Sequence, residues 1–187
     1  MNTPPPDLRT GVLETSWGDV VVSADSRGVW RCDLPPAPVA VSIPPVVRRV
    51  RRPKDSPPLL DQALAFARAA IEGREPGPAP AVHPAVVEQT SPFRRKIWRV
   101  LQRISRGNTA TYADVARRAG RPGAARAAGG ACGANPVPLF IPCHRVTAAN
   151  GRLGGFSSGL GWKRWLLSAE GAAAPAGRAA RTGRGRS

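Results

Sequence analysis

Acidic residues are nearly missing from the second half of this 187-residue chain. Residues 91–171 hold 14 lysines and arginines but only two acids, Asp114 and Glu170, whereas residues 1–90 hold ten charged residues of each sign. A coding bias towards arginine would add cations, but it would not remove Asp and Glu after position 90. The neutral front and the basic back therefore favour two regions with different roles, the second suited to a polyanion.

Cysteine is also scarce, since Cys32, Cys132 and Cys143 are the only three and lie far apart. With no CxxC pair, neither a zinc ribbon nor a disulfide framework is indicated. No apolar run approaches 18 residues, and the start of the chain has no apolar signal segment. We therefore expect no membrane span and a reducing compartment, the cytoplasm.

The pair Cys143-His144 stands in the string Pro142–Val146, directly after the apolar run 137–141. A free thiol has a pKa of about 8.5, so it is a weak nucleophile at neutral pH. A histidine that takes its proton, directly or through one water, supplies the reactive thiolate. An arbitrary cysteine is more often buried and inert, but the surroundings of this pair favour a nucleophile.

The sequence of the front region, residues 1–84, predicts a small α/β domain with an antiparallel sheet. Residues 11–34 predict a β-hairpin, in which a turn at 25–28 separates Val20–Val22 from Val29–Leu34. Residues 35–58 hold eight prolines and the cluster Arg48–Arg52, and we expect an irregular loop there with one edge strand at Val39–Ile43. A helix follows over Leu59–Glu72, on the helical spacing of Leu60, Leu64, Ala67 and Ile71, before a Pro/Gly/Ala-rich linker at 73–84.

The back region, 85–171, predicts mostly helices, so the fold class is α+β. Ser91 caps a helix that runs to about Ile104, with Ile97, Val100, Leu101 and Ile104 inward. Two further helices, Tyr112–Ala119 and Ala124–Cys132, flank a Gly/Pro turn and form a helix-turn-helix pattern, which the basic setting links to nucleic acid. A glycine-rich loop and a helix over Trp162–Ala169 follow, and the arginine-rich tail 172–187 is expected to be disordered.

The motifs of the back region occur in a recognisable order: Thr111-Tyr112, Ala124-Ala125-Arg126-Ala127, Gly133-Ala134-Asn135-Pro136, Ile141-Pro142-Cys143-His144-Arg145-Val146, Gly154-Gly155-Phe156-Ser157 and Leu166-Leu167-Ser168-Ala169-Glu170-Gly171. The segment Ser91–Gly171 resembles the catalytic domain of the O6-alkylguanine-DNA alkyltransferases. The front region matches that family only in outline.

The resemblance implies repair of DNA by direct reversal, with irreversible transfer of the alkyl group from O6-alkylguanine to Cys143. His144 would take the thiol proton through a water, Glu170 would hold the imidazole, and Asn135 would order the turn behind the nucleophile. Tyr112 would donate a proton as guanine leaves. Because the alkylation of Cys143 is irreversible, each chain would act once.

The resemblance also implies how the DNA is held. The damaged nucleotide must leave the duplex, and Arg126 would fill the space, with Tyr112 and Arg121 as further DNA contacts in the minor groove. The carbonyls of Cys143 and Val146 and the backbone N–H of Ser157 would read the guanine edge, beside Phe156. We expect a monomer that acts on double-stranded DNA, with no cofactor.

The sequence departs from the family pattern at the pocket mouth and in the front region. Phe156 stands where many relatives have tyrosine, and Gly155 and Ser158 are also unusual, which bears on the size of alkyl group accepted. Some relatives carry a structural zinc in the front domain. The matching positions fall near Asp25 and Trp30, and Cys32 and His83 alone cannot make a four-ligand site, so we expect no metal.

Two other functions remain open on the sequence. The chain could be a non-catalytic sensor that binds alkylated DNA, in which case Cys143 would be unused. It could also be a cysteine hydrolase that uses Cys143, His144 and Glu170 on an ester or amide, and turnover would distinguish that enzyme from a single-use protein.

Overall fold

The computed structural model describes residues 5–38 and 43–172, so the arginine-rich tail beyond residue 172 lies outside the described residues. The front of the chain forms a four-stranded antiparallel sheet, ordered β3-β2-β1-β4. The strands are β1 (Arg9–Thr15), β2 (Gly18–Ala24), β3 (Val29–Asp33) and β4 (Val47–Arg51). The predicted hairpin is confirmed as the β2–β3 pair, and β1 adds a third strand in front of it.

Strand β4 corrects the expectation of an irregular loop over residues 35–58. It pairs with β1, in the register Leu13 with Val50 and Glu14 with Arg49. Val47 is the one buried residue of β4, and the arginines that follow it are exposed. The strand therefore depends on backbone pairing rather than on alternating apolar side chains. The edge strand predicted at Val39–Ile43 falls mostly outside the described residues.

Helix α1 (Pro58–Ile71) covers one face of the sheet and is close to the predicted helix. All four residues predicted to face inward, Leu60, Leu64, Ala67 and Ile71, are buried. On the sheet, alternate residues such as Val20 and Val22 of β2 are buried, as the two-residue period of a strand requires. Each large aliphatic side chain buried here contributes roughly 1.5–3 kcal/mol.

The segment predicted as a linker is partly built into the sheet. Val29 donates its N–H to Ala81 O at 2.8 Å and accepts from His83 N at 2.9 Å, which makes an isolated parallel bridge at the β3 edge. The His83 ring stacks on Trp30 with centroids 4.0 Å apart, and Trp30 Nε1 donates to the buried Asp25 carboxylate at 2.7 Å. His83 also caps a short helix that the sequence did not predict, α2 (Pro84–Glu88).

The back of the chain is mostly helical, with one small parallel strand pair. Its elements are α3 (Pro92–Gln102), β5 (Ala110–Thr111), α4 (Tyr112–Arg118), α5 (Ala125–Gly133), β6 (Val146–Thr147) and α6 (Leu160–Ala169). The predicted inward residues of α3, namely Ile97, Val100, Leu101 and Ile104, are all buried. The α+β fold class with a helical back region is confirmed.

Helices α4 and α5 form the predicted helix-turn-helix pair. Thr111 and Asp114 form a capping box at the start of α4, in which each side chain bonds the other residue's backbone N–H. Gly120 and Gly123 turn the chain between the helices with φ angles of +81° and +87°, a region that glycine adopts without steric cost. Helix α3 supports the pair, since Trp98 Nε1 donates to Ala131 O at 2.9 Å.

The front and back of the chain share one apolar core. Cys32 N donates to Pro136 O at 2.9 Å, the Phe66 and Phe140 rings stack with centroids 5.2 Å apart, and Trp165 Nε1 donates to Ile71 O at 2.8 Å. The division into domains at residue 84 stays a prediction. None of the helices in the described part of the chain is both long enough and apolar enough to cross a membrane.

The close approach of the linker to the sheet gives a first prediction. A Cβ added at Gly28 would lie 2.4 Å from His83 N and 2.6 Å from its Cα, so Gly28→Ala must push backbone apart. We expect a loss of about 2 kcal/mol in the free energy of unfolding, measured by urea denaturation. The control is Gly130→Ala in α5, where an added Cβ would have no neighbour within 4 Å. This change should leave the free energy of unfolding unchanged or increase it. Equal stability of both variants would contradict the contact.

Candidate active site

Cys143 begins a 3-10 turn, Cys143–Arg145, and its side chain is buried. The turn before it is held by the amide of Asn135, whose Nδ2 donates to Ile141 O at 2.7 Å and to Cys143 Sγ at 3.3 Å. Its Oδ1 accepts from Val137 N at 3.1 Å. One amide side chain therefore closes the segment on itself and touches the sulfur.

His144 and Glu170 meet behind the thiol. His144 Nε2 lies 2.9 Å from Glu170 Oε1, and both side chains are almost completely buried. Arg145 holds the same carboxylate, with its Nε 2.9 Å from Oε2 and a terminal nitrogen 2.8 Å from Oε1. Arg145 also donates to Ile104 O at 2.6 Å, which ties the pair to the end of α3. Glu170 therefore has the predicted imidazole partner and a guanidinium that was not predicted.

The tautomer of His144 follows from this pairing. With Nε2 donating to the carboxylate, Nδ1 is the acceptor of the neutral ring. That Nδ1 is buried and has no hydrogen-bond partner among the described residues. Within them Cys143 Sγ accepts from Asn135 and makes no direct bond with His144. The ring is thus held with a free acceptor atom.

Burial dominates the ionisation of the thiol and the imidazole. It raises the pKa of Cys143, against the hydrogen bond from Asn135 and the charge of Lys163. It lowers the pKa of His144, against the contact with Glu170. Burial also opposes the charge of Glu170, but the bonds from His144 and Arg145 outweigh it and lower that pKa to about 2. The resting site is therefore a neutral thiol beside a neutral imidazole and a carboxylate.

A pocket of about 120 Å³ opens at the thiol. Besides Cys143 it is lined by Tyr112, Cys132, Phe156, Ser157 and three glycines, Gly129, Gly133 and Gly155. The Tyr112 hydroxyl donates to Gly155 O at 3.4 Å, and the loop packs so closely that a Cβ at Gly154 would lie 2.8 Å from the Tyr112 ring. The pocket is large enough for a small alkyl group and places it against the sulfur.

A wider groove of about 520 Å³ lies on the helix-turn-helix side. It is bordered by Arg126 of α5 and shares Tyr112, Gly129 and Gly155 with the thiol pocket. Arg126 is exposed, and its neighbours on α5 are mostly alanine and glycine. Arg121 does not line either cavity; its guanidinium stacks on Phe93, 5.0 Å from the ring centroid. Of the predicted substrate and DNA contacts, Tyr112, Phe156, Ser157 and Arg126 border these two cavities, whereas Val146 and Arg121 do not.

Comparison with known proteins identifies the family. The family described as "6-O-methylguanine DNA methyltransferase, DNA binding domain" matches residues 92–172. The methylated-DNA–protein-cysteine methyltransferase of Homo sapiens is 36% identical over 172 residues, which cover 88% of this chain and 81% of that protein. The enzyme of the same name from Mus musculus is 36% identical over 188 residues, which cover 95% and 87%. This chain belongs to the family of methylated-DNA–protein-cysteine methyltransferases.

A solved structure supports the same assignment. The crystal structure of Mycobacterium tuberculosis OGT in complex with DNA has a TM-score of 0.64 and 25% sequence identity, and the match covers 86% of this chain and 91% of that one. The predicted family, the α+β fold and the enzyme class, methylated-DNA–[protein]-cysteine methyltransferase, are confirmed.

Three residues of this methyltransferase site were not predicted from the sequence. Arg145 stands within the motif, but its bond to Glu170 joins positions 25 apart in the chain. Cys132 follows a run of small residues on α5, and nothing in the sequence shows that it faces the same pocket as Cys143. Lys163 lies on α6 between Trp162 and Arg164, where a charged residue suggests an exposed face, yet it is fully buried.

The double contact of Glu170 gives a second prediction. Because the folded pKa of Glu170 is about 2 against an ordinary 4.5, its carboxylate stabilises the fold above pH 4.5, and this contribution is lost as the pH falls towards 2. Glu170→Gln leaves the guanidinium of Arg145 without its counter-charge, so we expect a loss of about 3 kcal/mol at pH 7. Urea denaturation should show that the difference in the free energy of unfolding between Glu170→Gln and the unmodified protein becomes smaller between pH 4.5 and 2.

The matched control is Glu75→Gln, which changes a carboxylate that is 74% exposed. Its stability should follow that of the unmodified protein at every pH. A Glu170→Gln variant with the same pH dependence as the Glu75→Gln control would show that the carboxylate of Glu170 does not anchor the site.

Proposed function

We propose that this protein repairs double-stranded DNA by moving an alkyl group from O6 of guanine to Sγ of Cys143, once per molecule. The single observation that carries the proposal is the placement of the thiol. Cys143 stands at the wall of a pocket of about 120 Å³, with Asn135 on its sulfur and the His144–Glu170 pair behind it. Because the product is a thioether, which water does not cleave, no step returns the free thiol.

The proton balance of the reaction uses the neutral resting site. The lowered pKa of His144 keeps its ring unprotonated at neutral pH, so its Nδ1 can take the thiol proton through a water. Glu170 then stabilises the imidazolium that forms, as the carboxylate does in other nucleophile–histidine sites. The thiol thus loses its proton when the alkyl carbon of the substrate lies within reach of the sulfur.

The transfer itself exchanges one bond for another. The thiolate sulfur attacks the alkyl carbon, the bond between that carbon and O6 breaks, and its electron pair stays on the guanine. The departing guanine gains one proton, which leaves its donor deprotonated. The proton held by His144 then returns to that donor through water, so the net result moves the thiol proton to the guanine. We assign this donation to the Tyr112 hydroxyl, because Tyr112 lines both the pocket and the groove that leads to it.

The DNA must present the guanine outside the duplex, because the O6 atom is not accessible in the stack. Arg126 is exposed at the groove beside Tyr112, where a side chain can enter the space that the nucleotide leaves. Its small neighbours on α5 allow the helix to approach the minor groove closely. Residues 91–171 carry a net charge of +12, which attracts the phosphates of any sequence. Arg121 then serves as a phosphate contact at the edge of this surface.

Recognition of the guanine falls to backbone atoms around the pocket. We assign it to the carbonyls of Cys143 and Val146 and to the N–H of Ser157. Cys143, Ser157 and Phe156 line the pocket, and Val146 directly follows the turn of Cys143. A carbonyl has two lone pairs, so Val146 can accept from Lys163 and from the base together. We further propose that the protein acts as a monomer in the cytoplasm, where reducing conditions keep Cys143 free.

A stoichiometric reaction is the third prediction. Purified protein is mixed with excess duplex DNA that contains O6-methylguanine, and peptide mass spectrometry follows the Cys143 peptide. We expect one methyl group per chain at saturation and none on Cys143→Ala, whose DNA binding should persist. Tight binding without an adduct would identify a damage sensor instead, and continued product formation beyond one equivalent would identify a hydrolase.

The role of Arg126 gives a fourth prediction. Arg126→Ala should slow repair of duplex DNA by about tenfold or more, because unstacking costs a few kcal/mol that the arginine offsets. Reaction with free O6-benzylguanine, which needs no extrusion, should keep its rate. The rate of repair of duplex DNA is measured by the gel shift of the alkylated DNA, and the rate of reaction with O6-benzylguanine by the loss of the free thiol.

The control for this experiment is Arg68→Ala, which removes an arginine of α1 at the front of the molecule. It should leave both rates unchanged. An equal loss of both rates in Arg126→Ala would show a general defect of the site rather than a role in extruding the base.

A further inference from the structure

Lys163 is the one buried cation of the site that the proposed chemistry does not use. Its side chain is fully buried in α6, and its Nζ donates to Val146 O at 2.5 Å and to Gly155 O at 3.1 Å. No carboxylate of the described residues pairs with it. A buried ammonium group without a counter-ion is costly, so its retention inside the molecule requires a reason.

The two carbonyls that Lys163 bonds belong to two separate segments of the chain, of which one lines the pocket and the other follows Cys143. Val146 belongs to β6, directly after the turn of Cys143, and Gly155 belongs to the loop that carries Phe156 and Ser157. Gly155 O also accepts from the Tyr112 hydroxyl, and the Lys163 Nζ lies 5.8 Å from the centre of the Tyr112 ring. One ammonium group therefore contacts β6, the glycine-rich loop and the ring of Tyr112.

The charge of Lys163 also acts on the groups that face it from neighbouring elements. These are the thiols of Cys143 and Cys132, the imidazole of His144 and the phenol of Tyr112. It opposes the effect of burial on Cys143 and Cys132, and it disfavours a proton on His144. Burial lowers the pKa of Lys163 itself to about 8, so the ammonium form prevails at neutral pH.

We propose that Lys163 is a positioning residue of this site: its ammonium group clamps the pocket loop to β6 through Gly155 and Val146, and its charge favours the thiolate of Cys143. Glu170 cannot do this work, because its negative charge favours the imidazolium and disfavours a second anion nearby. Lys163 supplies a positive charge, which opposes the effect of burial on Cys143. The hydrogen bonds to Gly155 and Val146 affect alkyl transfer, so that half of the proposal rests on the proposed function. The effect of the charge on the thiol of Cys143 does not.

The experiment measures the thiol without DNA. The rate of Cys143 alkylation by iodoacetamide, confirmed against Cys143→Ala, is followed from pH 6 to 10. For Lys163→Met, a neutral side chain of similar length, we expect the rate at pH 7, where Lys163 is an ammonium, to fall about tenfold. The difference from the unmodified protein should shrink above pH 8, as Lys163 loses its charge. The control Lys96→Met removes an exposed lysine of α3 and should keep the original profile. An unchanged profile in a folded Lys163→Met protein overturns the charge effect.

A second variant separates the charge from the clamp. Lys163→Gln keeps an N–H donor but has no charge. We expect its thiol profile to match that of Lys163→Met, while the concentration of free O6-benzylguanine that gives half the maximal rate of Cys143 alkylation stays closer to that of the unmodified protein. If the two variants raise this half-saturating concentration equally, the hydrogen bonds of Lys163 do not position the loop, and that half of the proposal is overturned.

A measurement on the unmodified protein covers the case in which the variants do not fold. The chain has only three lysines, Lys54, Lys96 and Lys163, so labelling lysine with ¹³C at Cε gives three assignable signals. We expect the Lys163 signal to titrate near pH 8 and to move when iodoacetamide blocks Cys143. No change on blocking would show that the two groups are not coupled. Failure to repair O6-methylguanine would overturn the proposed function and leave this result standing.

Discussion

The carboxylate of Glu170 is the interaction on which the active site depends. It lies at the end of α6, yet it bonds His144 and Arg145 from the turn of the nucleophile, and Arg145 continues to the end of α3. Three segments that are distant in the chain thus meet at one charge. Because that carboxylate is buried and satisfied on both oxygens, the imidazole of His144 cannot rotate without breaking a strong bond.

The resting site keeps its reactivity low by the same burial that builds it. Burial raises the pKa of the Cys143 thiol and lowers the pKa of the His144 ring, so both groups favour their neutral forms at rest. In the proposed mechanism, the thiolate forms when its proton moves to the ring that Glu170 holds. A protein that can react only once benefits from such a site, since each accidental alkylation would consume a molecule.

Much of the fold and of the site could be predicted from local patterns. Helices α1 and α3 show their apolar spacing, and the motif around Cys143 shows the nucleophile with its histidine. Strand β4 could not be predicted, because its arginines have no strand pattern and it forms only by pairing with β1. The burial of Lys163 was equally hidden, since packing of β6 and the glycine-rich loop encloses a side chain that its helix alone would leave in solvent.

The two outer strands of the sheet end in different ways. At β3 the chain itself returns, and residues 81–83 bond Val29 along the open edge. At β4 nothing of the described chain adds to the edge, but exposed arginines line it. A second molecule that tried to extend the sheet there would bring like charges face to face. The arginines of β4 thus disfavour edge-to-edge pairing of two sheets, an effect separate from the attraction of phosphates by the basic back of the chain.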